Sequence, residues 1–470
     1  MQVTGDADVD VAGTLIVQRN STLTISDDST VNANFFSIGD QRGNGHVDQD
    51  GGTVTITGAN GVRLGHWPAG TGSTYDMSGG QLITPTLAVG WDGSNNRMDV
   101  FGNANVDVAG DLLVQRDSTL NVYGSSTVDA NFISIGDDRG AGTMNIGGSA
   151  VVTAPDVTVG RTSQGNLNQT GGTLNVTAAT TYQVGGGSLG LVAHSGGTAN
   201  VTGNLNIGTD GTAGDTYTLS NSAVLNFGDT AAVTQVLGPT PSVMTVGPDG
   251  DFNFQGGTLI NVETINVDPS NSPFTVGDLT VAGGADPTGP ARFVIGVDGG
   301  LDPNNPATTR AYTTISDGGG TNPDGSPLGT PIDFVLNEDG TLVVDVFGFG
   351  SHGINGEQGG TLAINPLDPA LDSDILHVTG DATLNGLLEV DPNGLELFPF
   401  AWYDVMLASG EIDASGLDID GLSLFRVVDN PFGAGQILQV AVPEPASIAI
   451  WTLIGLALAG FGWIRIRRKG

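Results

Sequence analysis

The 470-residue chain contains no cysteine and a single lysine, Lys469. The first absence excludes a disulfide framework and a thiolate metal site. Only 14% of the residues are charged, 6% are aromatic and 38% are hydrophobic, so large apolar helices are not expected. Basic residues are scarce: 14 Lys and Arg stand against 50 Asp and Glu, for a net charge of −36, and four of the 14 lie in the last six positions. Such an acidic surface repels nucleic-acid phosphates and anionic lipid, favours solubility and attracts divalent cations. DNA and RNA are thereby excluded as partners. Near the N-terminus there is no charged segment followed by the apolar stretch of a signal peptide.

What the chain has in excess is glycine, 75 residues, together with Thr, Asn, Asp and Val. This mixture suits short strands separated by turns in which Gly, Asn and Asp accept positive φ, so an all-β fold is expected. The chain also repeats itself. Residues 9–45 and 106–142 agree at 25 of 37 positions, at an offset of 97. The match extends back to the first residue, pairing Met1 with Met98, Val3 with Val100, Gly5 with Gly102 and Ala7 with Ala104. A solenoid opening inside a repeat would expose an uncapped face, so further coils and a signal peptide are expected upstream; the competing expectation is a short gene with a ragged first coil.

Within the 97-residue unit an apolar pair followed by Gly or Gln marks a shorter beat. The marks fall at Gln18, Gly39, Gly65, Gly90, Gln115, Gly136, Gly160, Gly185, Gly208, Gly228 and Gly247, 19 to 26 residues apart, and four intervals make one 97-residue unit. A second mark follows many of these: Gly51-Gly52-Thr53, Gly79-Gly80, Gly147-Gly148, Gly171-Gly172-Thr173, Gly196-Gly197-Thr198 and Gly256-Gly257-Thr258. Between marks the pattern alternates, as in Leu23-x-Ile25, Val54-x-Ile56 and Leu205-x-Ile207, which is the period of a strand with one buried face. A unit too small to bury its own core, with short strands and Gly turns, predicts a right-handed parallel β-helix of about eleven coils over 1–268. A series of β-sandwiches is the alternative, but its antiparallel hairpins would not keep the beat. After a Pro- and Gly-rich linker at 269–291, longer and more aromatic segments at 292–442 predict a β-rich module of hairpin-type strands capping the rod.

The tail, 443–470, carries the most specific signal. Val442, Pro443, Glu444 and Pro445 precede the uncharged run 446–464, which is followed by Arg465, Arg467, Arg468 and Lys469. As a helix that run would rise about 28 Å, close to the ~30 Å hydrocarbon core of a bilayer. The basic cluster would remain cytoplasmic and the acidic body outside. A plain C-terminal membrane anchor is the simpler alternative. The order of motif, span and basic end resembles the PEP-CTERM sorting signal, also catalogued as an ice-binding-protein C-terminal domain. The resemblance implies an exosortase-type peptidase as partner, cleavage near Pro443 and Pro445, a transient membrane anchor, and delivery to the cell surface or extracellular matrix. The run QGGTLAINP, DILHVTGDATLNGLLEV and YDVMLASGEIDASGL resembles the last passenger segment of autotransporter-type adhesins, and the earlier coils resemble autotransporter-associated β-strand repeats.

Residues able to carry chemistry have structural readings beside them. Gly348, Gly350 and Gly353 fit G-x-G-x-x-G, and Gly186, Ser188 and Gly190 fit G-x-S-x-G. Neither is followed by a helix pattern, so both are set aside as matches expected in a Gly-rich chain. His46, His66, His194, His352 and His377 have no zinc-ligand spacing and are expected mostly in turns, and no metal ligand is assigned. Arg19 and Arg116, and Arg42 and Arg139, lie 97 apart beside Asp40, Asp137 and Asp138; repetition points to periodic salt bridges rather than to one catalytic site. Acidic turns at Asp137-Asp138, 249–251, 298–305 and 368–374 offer oxygen ligands for Ca2+ but read first as solvated turns. Trp67 and Trp91 follow coil marks and are candidates for stacking on sugars, packing over a turn being the plainer use. No catalytic residue or cofactor is assigned. The leading expectation is a non-enzymatic structural or adhesive surface rod. The alternatives are a polysaccharide- or ice-binding protein, with Thr53, Thr55 and Thr57 as a hydroxyl row, and a polysaccharide lyase.

Overall fold

The computed structural model describes residues 1–177, 182–227, 243–260, 262, 264–271, 274–276, 291–295, 312–316, 331–337, 340–345, 375–391, 402–419, 424–430 and 434–441. Apart from two short 3-10 turns, Pro68–Gly70 and Pro269–Asn271, the described regular structure is β. The chain winds as a β-solenoid whose coils each give one strand to each of three parallel sheets. The first sheet takes Ser21–Ile25, Gly45–Gln49, Thr74–Met77, Arg97–Val100, Ser118–Val122 and Gly142–Ile146. The second includes Thr53–Ile56, Gln81–Thr84 and Val151–Ala154, and the third includes Val62–Leu64, Leu87–Val89 and Asp156–Val159. Long strands such as Asp8–Val17 and Asn105–Val114 pass from the second sheet to the third, with a register shift at the corner.

Alternation puts one side chain of each pair into the lumen, and the ladder register stacks like on like. Along the first sheet the column runs Leu23, Val47, Tyr75, Met98, Leu120, Met144, Leu167, Val192 and Tyr217. All nine are buried. Farther along, aromatic rings continue the column, Tyr217 to Phe252 at 5.8 Å and Phe252 to Phe274 at 6.0 Å and nearly parallel, and Phe293, which stacks on the second sheet, contacts Phe274 at 6.1 Å and Phe334 at 6.4 Å between centroids. Outside, short polar side chains hydrogen-bond from coil to coil. Asn168 Nδ2 donates to Asn145 Oδ1 at 2.8 Å, Asn145 to Asn121 at 2.7 Å and Asn121 to Asp99 Oδ1 at 2.6 Å. A second Asn chain joins Asn226, Asn200 and Asn175 at 3.0 and 2.9 Å.

The two sequence marks sit at two different corners. Gln18, Gly39, Gly65, Gly90, Gln115, Gly136, Gly160, Gly185, Gly208 and Gly247 each follow a third-sheet strand. The two Gln marks begin turns in which Arg19 and Asn20, and Arg116 and Asp117, take positive φ near 60°, which explains how these coils turn without Gly. Gly228, which lies outside the described residues, instead follows the second-sheet strand Val224–Phe227, so the stretch from Gly208 to Gly247 is one coil and not two. The Gly-Gly marks form the corner between the first and second sheets. Gly172 there has φ +69°, and a Cβ on it would stand 2.5 Å from the Ala150 carbonyl oxygen.

Each of three Gly-Gly corners is held from inside by a buried polar side chain three residues before the second Gly. Gln49 Nε2 donates to the carbonyls of Gly52 (3.3 Å) and Gln81 (3.1 Å), while its Oε1 accepts from Tyr75 OH (2.5 Å). Gln169 Nε2 donates to Gly172 and Thr198 carbonyls at 3.4 and 3.0 Å. His194 does the same with its ring: Nε2 faces the Gly197 carbonyl at 3.3 Å and Nδ1 the Tyr217 hydroxyl at 2.9 Å. The expectation that the histidines are mostly turn residues is therefore corrected. His194, His46 and His377 lie in the strands Gly190–Val201, Gly45–Gln49 and Ile375–Val378; at His194 a neutral imidazole supplies one donor and one acceptor, as Gln does. His352 lies outside the described residues.

The expectation of hairpin-type strands after Arg292 is also corrected. Ala291–Ile295 pairs in parallel with Gly257–Ile260, and Tyr312–Ser316 with Thr264–Val267. Parallel pairing continues to Asp418–Ile419. Nor are these strands longer: the described ones after Arg292 have at most 6 residues, against 12 in Gly165–Val176, and their buried side chains are mostly aliphatic. Apart from the isolated bridges Asp40–Gly43 and Asp137–Gly140, antiparallel pairing is confined, among the described residues, to the last sheet edge, where Gln436–Ala441 lies between Tyr403–Ala408 and Leu424–Asp429. The stretch read as a linker contains the strand Phe274–Val276, paired with Phe334–Leu336.

Burial lowers the His194 pKa to about 4, opposed by its bond to the Gly197 carbonyl. The folded protein thus binds this proton less tightly than the unfolded chain does, so stability present above pH ~6.5 is lost as the pH falls toward 4. In urea titrations followed by circular dichroism, His194→Gln should keep the corner bonds and remove a loss of about 2–3 kcal/mol between pH 7 and pH 4; an unchanged pH profile would refute this role.

Candidate functional site

The densest group of charged and aromatic side chains lies on the corner between the third and first sheets. Arg63 points outward from Val62–Leu64, and its ladder partner on the next coil is Ala88. A methyl group there leaves room for the guanidinium to reach Trp91, just past Leu87–Val89. Arg63 Cζ stands 3.6 Å from the centroid of the Trp91 ring and Arg139 Cζ 3.9 Å. Two cations that close cannot share one face, so the indole is clamped on both sides. Asp92 compensates the charge: Arg139 Nη1 bonds its Oδ1, and Arg116 Nη2 is 3.9 Å from the same oxygen. Burial first, and the neighbouring Arg139 next, pull the Arg63 pKa below its ordinary value, against the opposing effect of Asp92. Flanking coils extend the pattern, with Arg63 5.6 Å from Phe35 and Arg161 5.4 Å from Phe132.

This arrangement changes two readings. The sugar-stacking role expected of Trp91 meets a ring whose faces are taken by arginines. Trp67, by contrast, is 41% exposed, and its aromatic contact among the described residues is an edge contact with His66, 5.8 Å between centroids, so part of its ring is open to solvent. The salt bridges are also not periodic among the described residues. Arg116 and Arg139 pair with Asp92, and Arg161 with Asp137 at 3.2 Å, while no such pair involves their first-copy counterparts Arg19 and Arg42. The reason is position: Asp92 lies in the coil on which only the second copy stacks.

In the first copy, Ser37, Asp40 and His66 come together where the second copy has Ser134, Asp137 and Arg161. Ser37 Oγ lies 3.2 Å from both His66 Nδ1 and Asp40 Oδ2, and His66 Nδ1 is 3.8 Å from that carboxylate. Serine and acid therefore share one ring nitrogen. A nucleophilic relay needs them on opposite nitrogens, and Ser37 is fully buried. Burial lowers the His66 pKa, with Asp40 acting in the opposite sense.

Of the acidic turns, Asp137 engages Arg161 and accepts from the Asp138 amide at 2.7 Å. Near 249–251, Asp215 is fully buried and its pKa is raised to about 6, chiefly by burial; the Gly190 amide, 2.7 Å from Oδ1, acts against the shift, and Asp210 and Asp249 add to it. The turns at 298–305 and 368–374, the Gly348 motif and the tail residues Val442, Pro443, Glu444, Pro445, Arg465, Arg467, Arg468 and Lys469 lie outside the described residues, as does the span 446–464. Gly186, Ser188 and Gly190 form a turn entering a strand, with no helix beyond. Among the described residues no helix is long and apolar enough to cross a membrane.

The described residues end with the antiparallel strand Gln436–Ala441. Residues 441–468 match the family model of the PEP-CTERM protein-sorting motif. The PEP-CTERM match marks the chain as an exported protein processed by exosortase and sorted to the cell surface. No curated protein matches the chain.

The Arg63–Trp91–Arg139 clamp should be a stability element. Trp91→Leu is expected to cost about 1–3 kcal/mol, from lost cation–π contacts and packing, measured as a lowered urea midpoint. A change under 0.5 kcal/mol, taken as roughly the neutral range for surface substitutions, would show the clamp to be energetically idle.

Proposed function

We propose that the chain is a structural and adhesive rod of the cell surface or extracellular matrix, released from a transient membrane anchor by exosortase. The observation that carries this reading is the parallel ladder of stacked coils, closed by the antiparallel edge strand Gln436–Ala441 at which the sorting motif begins. A right-handed winding, usual for parallel crossovers, fits the coil lengths. Among the described residues the body offers length and repeated polar faces rather than one enclosed site, as in the autotransporter-type adhesins it resembles. In the tail, 446–464 would span the membrane, Arg465, Arg467, Arg468 and Lys469 would hold the cytoplasmic end, and cleavage would fall near Pro443 to Pro445. We read the chain as non-enzymatic, supported by the unproductive Ser37, His66 and Asp40 arrangement and by the charge-compensated arginine cluster; a lyase stands last.

Polysaccharide binding is the second reading, favoured by the solvent-exposed part of the Trp67 ring beside His66 and the Arg63 clamp. Ice binding has less support. The outward neighbours of Thr53 and Thr55 are Thr30 and Asn32 on one side and Gln81 and Ile83 on the other, so hydroxyls do not form a regular array.

Two measurements separate these readings. In cells with exosortase, the mature surface protein should lack the tail, whereas replacing Pro443, Glu444 and Pro445 with Ala should retain it in the membrane; an intact tail on the wild-type surface protein would refute sorting by cleavage. On glycan arrays, Trp67→Ala should weaken any binding by about tenfold, on the order of one lost stacking contact, while leaving the urea midpoint in place. Undiminished binding would remove Trp67 from the surface.

A further inference from the structure

On the outer face of the first sheet, His46 and Asp48 in Gly45–Gln49 stand in register with Thr74 and Asp76 in Thr74–Met77. His46 Nε2 is 2.6 Å from Asp48 Oδ1 and 4.0 Å from Asp76 Oδ2. One nitrogen and two carboxylate oxygens thus lie within 4.8 Å of one another. His46 Nδ1 is hydrogen-bonded to the Thr74 hydroxyl, which turns Nε2 toward the carboxylates. Metal-binding imidazoles are oriented in this way by a partner on the other nitrogen. Arg97 holds the far oxygen of Asp76, Oδ1, at 3.3 Å and Asp99 Oδ2 at 2.8 Å, leaving Asp76 Oδ2 directed at His46.

The chain's own second copy provides an independent comparison. The positions of His46 and Asp48 become Thr143 and Asn145, and the ladder partner of Asn145 is Asn168. There the column is uncharged and closed by an Asn168 to Asn145 hydrogen bond of 2.8 Å. The fold therefore does not require acids at these places. In the first copy Asp48 and Asp76 face each other across adjacent strands, a pairing of like charges that destabilises a sheet, and Arg97 offsets it at Asp76 alone. Unlike the arginines, this trio is not repeated.

We propose that His46, Asp48 and Asp76 bind one divalent cation of the Zn2+ class, through Nε2 and one oxygen from each carboxylate, with water completing the coordination. The imidazole selects Zn2+ over Ca2+, which takes oxygen ligands. Ligand bonds of about 2.0–2.2 Å in a tetrahedral site separate donor atoms by roughly 3.3 Å. The separations of 2.6 and 4.0 Å bracket that value, so small rotations of partly exposed side chains suffice. The cation takes the place of the proton between His46 and Asp48 and offsets both carboxylates. Such a site would staple two successive coils.

The test is calorimetric titration of the full chain in detergent with ZnCl2, and separately with CaCl2, with melting followed by circular dichroism. The wild type should bind one Zn2+ with a micromolar Kd and melt at higher temperature with Zn2+; Ca2+ should do neither. The triple variant His46→Thr, Asp48→Asn, Asp76→Asn installs the second copy's chemistry. It should lose Zn2+ binding by at least tenfold and melt without metal no lower than the wild type. The single surface change His46→Gln gives the same readout should the triple variant not fold. Absence of Zn2+ binding to the wild type, undiminished binding by His46→Gln, or equal binding of Ca2+ would each overturn the proposal.

Discussion

No coil of this protein can fold alone. Ordering a backbone residue costs about 1–2 kcal/mol, and burying a Val, Leu or Phe side chain returns roughly 1.5–3 kcal/mol. A coil of some 21 to 26 residues, as between Gln18 and Gly208, with about six inward apolar groups falls short by itself. Stacking removes the deficit, because each strand gains hydrogen-bonded neighbours above and below and each inward side chain gains a partner in register. Nearly everything else follows from that constraint. Like must stack on like, corners must recur at fixed places, and groups inside the lumen must be apolar or fully bonded.

The buried Gln and His residues show how polar atoms meet the last condition. Gln49, Gln169 and His194 each stand at the first-sheet corner and supply a donor to the carbonyl of the Gly that turns the chain. In two coils a tyrosine from the following coil supplies the complementary hydroxyl. The corner is thus secured by residues from two coils, and its geometry depends on stacking as much as the core does. The outer surface follows the same logic with less penalty for exceptions. Asn columns satisfy themselves along the rod, whereas charge appears where the column breaks, at Asp48, Asp76 and Asp99 and at the Trp91 clamp.

Much of this architecture could be read from the chain. The period-two alternation, the 97-residue copy and the two kinds of Gly mark locate the strands and two of the three corners. The marks misplace one turn at Gly228, because an apolar pair followed by Gly looks the same after a second-sheet strand as after a third-sheet strand. They also stop being recognisable after Val267, where parallel pairing nevertheless continues, since stacked strands there lie much farther apart in the chain, as with Phe274 and Phe334 and then Phe334 and Ala382. The sequence contained a usable sign of the inner corner, a Gln or His three residues before the second Gly, but a buried polar role is visible only when burial is known.

The sequence by itself determined the all-β repeat, the absence of thiol chemistry and the sorting tail, because each rests on composition or on contiguous residues. Only the tertiary structure decided which outward side chains meet. Trp91 lies between Arg63 and Arg139, and His46 lies beside Asp76, across separations that no local pattern encodes. The reason is the winding itself: the length of each intervening coil sets which side chains become neighbours, and coil lengths here vary from one turn to the next.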